Sequence, residues 1–217
     1  LLSSLSKLTL LQARRCALLS SGSPGDTATW SADTANAEGG DGTSWAQAFT
    51  TIQAAVDAAA DDGGGEVWVA AGDYFEVDDN DGTSLTLASG VALYGGFAGT
   101  ETERVQRDPA ANLTAIRGTA TTQGDDTVAA SVILGADGAV LDGFTISDGR
   151  AATGAGMFNF EAAPLVIDCV FEDNQALQVE GSQGVGGAVF NFTDAPAEFR
   201  RCVFRNNSAV FAGGAMA

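Results

Sequence analysis

The feature that most constrains the fold is a repeat in the last third of the chain. Residues 154–160 (GAGMFNF) recur 32 positions later at 186–192 (GGAVFNF), and residues 168–174 (DCVFEDN) recur 33 positions later at 201–207 (RCVFRNN). A third copy opens at 213–216 (GGAM). Each unit has too few apolar residues to bury a core alone, so we expect the copies to stack on one another.

Side-chain charges support a particular register for this stacking. An offset of 33 sets Asp168 opposite Arg201 and Glu172 opposite Arg205. Opposite charges would then face each other on adjacent strands about 4.8 Å apart, where like charges would destabilise the pair. The same offset superposes identical residues in three columns, which are Cys169 with Cys202, Phe171 with Phe204, and Asn174 with Asn207.

One segment before the repeat has the pattern of an α-helix. Ser44 and Gln47 have the spacing of a capping box, and Asp61 is followed by residues that stop a helix (DGGG). The apolar residues between them recur at helical spacing: Trp45, Phe49, Ile52, Val56 and Ala59. We predict a single amphipathic helix here.

The remaining segments are predicted to form short strands separated by glycine-rich turns. The predicted strands are 66–70, 74–77, 84–87, 91–97, 113–117, 128–134 and 139–146. No helical crossover fits between them, which argues against a doubly wound sheet.

The amino-acid composition excludes several classes of function. The 217 residues carry 10 Lys and Arg against 28 Asp and Glu, a net charge of −18, and no His. Such a surface repels phosphates, so we expect no nucleic-acid partner. The lack of His excludes Ser-His-Asp and Cys-His catalysis. Three widely spaced Cys form no disulfide framework, and no apolar run approaches the roughly eighteen residues of a membrane helix.

The chain divides into three predicted parts. Residues 1–29 have turn-forming residues and no apolar period, so we expect a disordered leader; Arg14 and Arg15 interrupt its leucine-rich start, unlike in a secretory signal. Residues 30–65 hold the helix and are expected to cap the repeats. Residues 66–217 are expected to form stacked coils. The absence of an initial Met and the abrupt end led us to expect a fragment with an incomplete C-terminal end.

Several of these segments resemble a known group of proteins. The Gly-Gly-Ala-Val segment and the two Phe-x-x-Asn segments (171–174 and 204–207) resemble the repeats of polymorphic outer membrane proteins. Those proteins belong to the pectin-lyase-like class of right-handed parallel β-helices, and residues 41–45, 66–74 and 140–146 are similar to other segments of that class. The resemblance covers about 30–217. It implies an all-β solenoid with an α-helix plugging its N-terminal end, and it does not specify function.

Enzymes of this class use clustered carboxylates, so Asp pairs were considered as catalytic groups. The pairs are Asp61-Asp62, Asp78-Asp79 and Asp125-Asp126. The Gly-His-Gly and Arg-Ile-Lys motifs of the related polygalacturonases are absent. Each pair lies in a turn-forming segment, where carboxylates are ordinarily solvated, and solvated turns are the preferred interpretation.

Lyases of the class need calcium and a basic residue that abstracts a proton. Three arginines near carboxylates were considered for this role: Arg200, Arg201 and Arg205. A ladder of ion pairs with Glu198, Asp168 and Glu172 explains the three arginines at least as well, and it is the preferred interpretation. Residues 78–82 (DDNDG) have the composition of a calcium loop but not the EF-hand spacing, so an acidic turn was preferred there.

Two of the columns of identical residues that the 33-residue offset superposes are interpreted as structural. Stacked Cys169 and Cys202 would be close enough for a disulfide, but their side chains would point in the same direction, which is poor geometry for the bond. Two buried free thiols are therefore the preferred interpretation. Asn174 and Asn207 are interpreted as turn residues that form an amide ladder.

The sequence therefore predicts a secreted or cell-surface scaffold, structural or adhesive, whose partners are glycans or proteins at a host or cell surface. The sequence assigns no catalytic, cofactor-binding or metal-binding residue, and calcium is the one cofactor that it leaves open. The alternative is a polysaccharide-acting lyase or hydrolase whose active site lies partly outside these residues.

Overall fold

A computed structural model describes residues 28–36, 39–76, 85–118, 130–178, 181, 183–192 and 197–217. Within these ranges the chain forms eighteen short strands, β1 to β18 in chain order, and one α-helix, α1. Two 3-10 turns are also present, at Trp45–Gln47 and Arg104–Gln106. The strands pair in parallel, so the predicted all-β character and parallel pairing are confirmed.

The strands belong to four sheets. The six-stranded sheet contains β1 (Thr29–Ala32), β2 (Gly65–Ala70), β5 (Val91–Phe97), β8 (Val140–Asp142), β12 (Leu165–Ile167) and β16 (Glu198–Arg200). The five-stranded sheet contains β3 (Gly72–Tyr74), β6 (Thr114–Arg117), β9 (Thr145–Ser147), β13 (Val170–Glu172) and β17 (Val203–Arg205). The four-stranded sheet contains β4 (Leu85–Thr86), β7 (Ile133–Leu134), β11 (Met157–Phe160) and β15 (Val189–Phe192). The three-stranded sheet contains β10 (Arg150–Ala151), β14 (Gln175–Ala176) and β18 (Ser208–Ala209).

From β8 onward the chain visits these sheets in a fixed order. It runs through the six-, five-, three- and four-stranded sheets and then returns to the first. Each of these strands except β10 therefore pairs with the strand one pass earlier, and β10 is the first strand of its sheet. Phe171 pairs with Phe204, and Glu172 with Arg205, which confirms the register predicted from the 33-residue offset. The 32-residue offset is equally visible in the four-stranded sheet, where Asn159 pairs with Asn191.

The core is one cluster lined by inward-facing residues of the sheets. In the six-stranded sheet these residues form a column of Val67, Leu93, Leu141 and Val166, each fully buried. Neighbouring residues along each strand point outward because side chains alternate between the two faces. Burying one such aliphatic side chain contributes about 1.5–3 kcal/mol, so the columns hold the passes together.

Residues with a left-handed backbone conformation form the corners between sheets. In successive passes the turn from the six- to the five-stranded sheet is made by Gly143, Asp168 and Arg201, with φ of 85°, 50° and 53°. The predicted single strand 139–146 is therefore wrong, because the chain bends at Gly143 and its two halves join different sheets. A second corner repeats the feature at Asp148, Asp173 and Asn206, with φ of 61°, 56° and 55°.

The helix begins later than the sequence predicts. α1 spans Ile52–Asp61 and is capped by Thr51, whose hydroxyl accepts from the Ala54 N–H at 3.3 Å. The Glu76 carboxylate, more than twenty residues away, accepts from the N–H groups of Ile52 and Gln53 at 2.5 and 3.0 Å. Buried helix residues join the core and pack against β1, β2, β4 and β5.

The capping box predicted at Ser44 and Gln47 is wrong. Ser44 makes no side-chain capping bond, and the chain is extended at Ala48 after one 3-10 turn. Trp45 and Phe49 therefore lie outside the helix. Phe49 makes an isolated parallel bridge with Ala32, and the indole Nε1 of Trp45 donates to the Glu101 carbonyl at 2.9 Å.

The first strand was not predicted, and its outer edge is covered. β1 begins at Thr29, inside the predicted leader, and the rest of that leader lies outside the described residues apart from Ala28. Ser31 N–H donates to the Gly42 carbonyl at 2.8 Å, and Ser31 C=O accepts from the Phe49 N–H at 2.9 Å. The opposite ends of the six-, five- and three-stranded sheets are formed by β16, β17 and β18. In the described ranges no helix is long and apolar enough to cross a membrane.

Candidate functional site

A charged groove of about 810 Å³ lies on the outer face of the six-stranded sheet. Its wall is the segment 98–113, which leaves β5 and returns to β6. The groove is lined by Glu66, Glu103, Arg104, Val105, Arg107, Asp108, Pro109, Ala110 and Asp168.

Glu101 shapes the start of this segment. Its carboxylate accepts from the N–H groups of Ala98, Gly99 and Thr100 at 2.8, 3.1 and 3.0 Å. Burial alone would raise the pKa of Glu101, but these backbone hydrogen bonds outweigh it and hold the pKa below its usual range. The turn is therefore built around an ionised carboxylate.

Two arginines fasten the segment to the sheet around Tyr94. Arg104 forms an ion pair with Glu66, donates to the Tyr94 hydroxyl at 3.0 Å and lies 4.5 Å from the Tyr94 ring centroid. Arg107 lies 5.2 Å from the same ring and pairs with Asp142 at 2.7 Å. Burial, the larger influence, raises the pKa of Tyr94 although the two guanidinium groups oppose it. Tyr94 therefore remains a neutral phenol at physiological pH.

The carboxylates of the groove are engaged by neighbouring groups. Glu66 accepts from the Trp68 indole at 2.8 Å as well as from Arg104, and Asp108 accepts from the Ala110 N–H at 3.0 Å. Asp168 accepts two hydrogen bonds of 2.6 and 2.7 Å from Arg201, and hydrogen bonding to Arg201 is the main reason that the pKa of Asp168 is lowered. These groups can hold a polar ligand at the rim, but they do not form a pair of carboxylates poised for acid and base roles.

The arginines considered for proton abstraction are all in ion pairs. Arg201 pairs with Asp168, Arg205 with Glu172, and Arg200 with Glu198 at 2.6 Å. The first two pairs, which the register predicts, connect successive passes and confirm the ladder interpretation there, whereas Arg200 and Glu198 both belong to β16.

Of the three Asp pairs, the structure describes only Asp61-Asp62. Asp61 and Asp62 lie at the exposed C-terminal end of α1, whereas Asp78-Asp79, the possible calcium loop 78–82 and Asp125-Asp126 lie outside the described residues. In the part of the chain that the structure describes, no group of three or more His, Cys, Asp or Glu side chains is placed to hold a metal ion.

A second candidate surface is a patch of four phenylalanines on the outer face of the four-stranded sheet. Phe160 stacks on Phe192, with centroids 5.3 Å apart and rings inclined by 5°, and each side chain is 55% exposed. Phe158 stacks on Phe190 at 5.8 Å beside them. We call these four residues the phenylalanine patch. It is an exposed apolar surface on an acidic protein.

The predicted amide and thiol columns are present. The Asn174 amide donates to Oδ1 of Asn207 at 3.0 Å, which confirms the amide ladder. Cys169 is a buried free thiol whose pKa is raised by burial, and Cys202 is a partly buried free thiol. These columns stabilise the stack and expose no reactive group at the groove.

Sequence reasoning missed both candidate surfaces. The groove could have been suspected from residues 101–108 (ETERVQRD), where two arginines lie among acids in a long connection between strands. The phenylalanine patch has a clearer signal, because alternation in MFNF and VFNF puts both Phe residues of each strand on one face.

Comparison with known proteins identifies no relative. No family model, no curated protein and no solved structure matches the chain.

Proposed function

We propose that this chain forms a right-handed parallel β-helix of the pectin-lyase-like class, capped by α1, with repeats of the polymorphic outer membrane protein type. The fixed order in which the chain visits its four sheets supports this proposal, as do the stacked columns of like residues. Crystallographic determination would test it. A left-handed course of the chain, or sheets that do not wrap around one core, would refute it.

The proposed function is that of a secreted or cell-surface scaffold with an adhesive outer face. The observation that carries it is the phenylalanine patch, because Phe160 and Phe192 stack on each other and are each 55% exposed. Exposed aromatic surface of this kind marks interaction sites in soluble proteins. The engagement of the groove carboxylates by neighbouring groups favours a scaffold over a catalyst.

Adhesion can be tested with beads that carry the purified chain, applied to host cells and to surfaces coated with glycans or proteins. The double variant Phe160→Ser/Phe192→Ser is expected to reduce bead retention at least about ten-fold, as loss of an aromatic anchor pair does at interfaces. Leu113→Ser removes a comparably exposed apolar side chain (56%) that does not line the groove and serves as the matched control. Equal retention of all three proteins would refute adhesion through the patch.

A second candidate function is a polysaccharide-acting lyase or hydrolase. The groove favours it, because Arg104 and Arg107 could bind an acidic or neutral sugar beside Glu66. Incubation with acidic and neutral polysaccharides, with and without calcium, would distinguish the candidates. Unsaturated products or new reducing ends that vanish in Arg107→Gln would replace the scaffold proposal by the enzyme.

Location outside the cell is also part of the proposal. It rests on the resemblance and on the net charge of −18, which suits a soluble surface exposed to salt. Protease treatment of intact cells that express the native gene would test it, because a surface protein is degraded under those conditions and an internal protein is protected.

A further inference from the structure

The phenylalanine patch is an outer face of its sheet and not one end of the stack. Met157 and Asn159 are fully buried, whereas Phe158 and Phe160 alternate with them along β11 and face outward. β11 lies between β7 and β15 and pairs with both. Phe160 is nevertheless 55% exposed. Its exposure comes from the direction in which it points, so it does not depend on where the stack ends.

Two exposed carboxylates border the patch on one side. Glu161 directly follows β11, and its backbone N–H donates to the Phe192 carbonyl at 3.1 Å, so Glu161 lies where both strands of the patch end. Asp137 lies in the turn after β7, and the N–H of the next residue, Gly138, donates to the Ala163 carbonyl at 3.3 Å. This turn therefore lies against the segment that follows Glu161. We call Asp137 and Glu161 the acidic border.

The acidic border has no bound counter-charge in the described part of the chain. Neither Asp137 nor Glu161 belongs to an ion pair there, and Arg150, which is also outside these pairs, lies on the three-stranded sheet. The arginines that do form ion pairs are bound to other carboxylates: Arg104, Arg107, Arg117, Arg200, Arg201 and Arg205. On a chain with a net charge of −18, this border attracts cations from outside the protein.

The patch itself favours a polypeptide over a sugar. Its four phenyl rings carry no hydrogen-bond donor or acceptor, whereas a sugar is oriented in its site by polar groups that bind its hydroxyls. Apolar side chains need no such groups, and aromatic or aliphatic side chains pack well on phenyl rings. Rings next to free carboxylates therefore match a peptide segment that is both apolar and basic.

We propose that the phenylalanine patch binds a polypeptide partner whose apolar side chains pack on the rings and whose lysines or arginines pair with Asp137 and Glu161. This inference rests on the proposed adhesive function and names the chemistry of its partner. The rings supply most of the affinity, as aromatic anchors do at interfaces. The acidic border and the net charge attract a cationic partner and reject an anionic one.

The test uses three fluorescent synthetic peptides of equal length, in which Leu alternates with Lys, Leu with Glu, or Ser with Lys. Fluorescence anisotropy measures their binding to the 217-residue chain. We expect the Leu–Lys peptide to bind at least about ten-fold more tightly than the other two, because it alone complements both the rings and the acidic border. Added salt should weaken its binding, since the charges are exposed.

Charge reversal at the acidic border separates local charge from net charge. Asp137→Arg/Glu161→Arg is expected to raise the Kd of the Leu–Lys peptide about ten-fold and to lower the Kd of the Leu–Glu peptide. Asp61→Arg/Asp62→Arg is the matched control, because it changes the net charge equally at the exposed C-terminal end of α1, before β2 of the six-stranded sheet. It should change either Kd less than about three-fold. Circular dichroism verifies that each variant is folded.

The variant Phe160→Ser/Phe192→Ser distinguishes failure of this inference from failure of the proposed function. If it loses bead retention while the border variant binds all three peptides like wild type, adhesion through the patch stands and the basic partner is wrong. If it retains beads and binds the Leu–Lys peptide like wild type, both proposals fail. Equal binding of the Leu–Lys and Leu–Glu peptides would overturn the inference. Bead retention on glycan-coated surfaces but not on protein-coated ones would overturn it as well.

Discussion

The side-chain amide of Asn174 is bonded to Asn207, the residue one pass later in the chain. Its Nδ2 donates to Oδ1 of Asn207 at 3.0 Å and to the Ile146 carbonyl at 3.0 Å, while its own Oδ1 accepts from the Gly149 N–H at 2.9 Å. One fully buried amide thus connects three successive passes. Asn207 repeats part of the pattern by donating to the Phe171 carbonyl at 2.8 Å.

Removing the Asn174 amide should therefore be costly. We expect Asn174→Ala to lower the free energy of unfolding by about 3 kcal/mol, because it removes the side-chain partner of two buried backbone groups, the Gly149 N–H and the Ile146 carbonyl. Asn207→Ala, at the partly exposed end of the ladder, should cost about 1 kcal/mol. Urea unfolding followed by circular dichroism measures both. An equal or larger loss for Asn207→Ala would contradict this account of the ladder.

Glu76 should make stability depend on pH. Burial, which outweighs the two backbone hydrogen bonds, raises the pKa of Glu76 above its ordinary value of 4.5. The folded chain therefore retains this proton at pH values where the unfolded chain has lost it, so this contribution to stability is full below pH 4.5 and is lost as pH rises through the folded pKa.

The comparison of wild type with Glu76→Gln isolates this effect, because glutamine does not titrate and still offers one acceptor to the helix N-terminus. Unfolding free energies of both proteins are measured across the acidic range. We expect wild type to lose stability relative to the variant as pH rises above 4.5. A relative gain in wild-type stability over that interval would show that the helix N–H groups dominate and lower the pKa instead.

The corner at Asp173 should reject branched side chains. Its φ of 56° lies in the left-handed region, where a Cβ approaches the following carbonyl oxygen. We expect Asp173→Val to destabilise the fold by about 1–2 kcal/mol, and Asp173→Gly to be neutral or slightly stabilising. Thermal unfolding of the two variants checks the order, and a valine variant as stable as the glycine variant would contradict it.

Glycine at position 135 should matter for stability only in proteins that retain Asn159. A Cβ added at Gly135 would lie 1.8 Å from Oδ1 of Asn159. We expect Gly135→Ala to cost about 2 kcal/mol in wild type and less than about 0.5 kcal/mol in an Asn159→Ala background, where the clash is gone. A double-mutant cycle in urea measures the coupling. Additive effects would show that the backbone, not Asn159, excludes the methyl group.

The repeat made a large part of the fold predictable. Once Asp168 is aligned with Arg201, the offset fixes the register of β13 and β17, and the ion pair follows from charge alone. The strand β5 was predicted at its observed bounds, because its apolar run lies between clear turn residues.

The predictions from sequence fail where residues distant in the chain determine the local structure. The helix starts at Ile52 because Glu76 returns to cap it, and no local pattern reveals that partner. The bend at Gly143 depends on the stacking of corners, which makes one continuous apolar segment serve two sheets. The groove requires the segment 98–113 to fold back over β5, and spacing in the sequence does not indicate its path.

The pairing of each strand with only its nearest passes has a thermodynamic consequence. Cooperativity in such an array is local, since no contact connects the first strands of the six-stranded sheet directly to its last. Amide hydrogens should consequently exchange with solvent pass by pass, and more slowly in the strands that α1 covers than in the passes that it does not reach. Structure should be lost on heating in the same way, one turn of chain at a time.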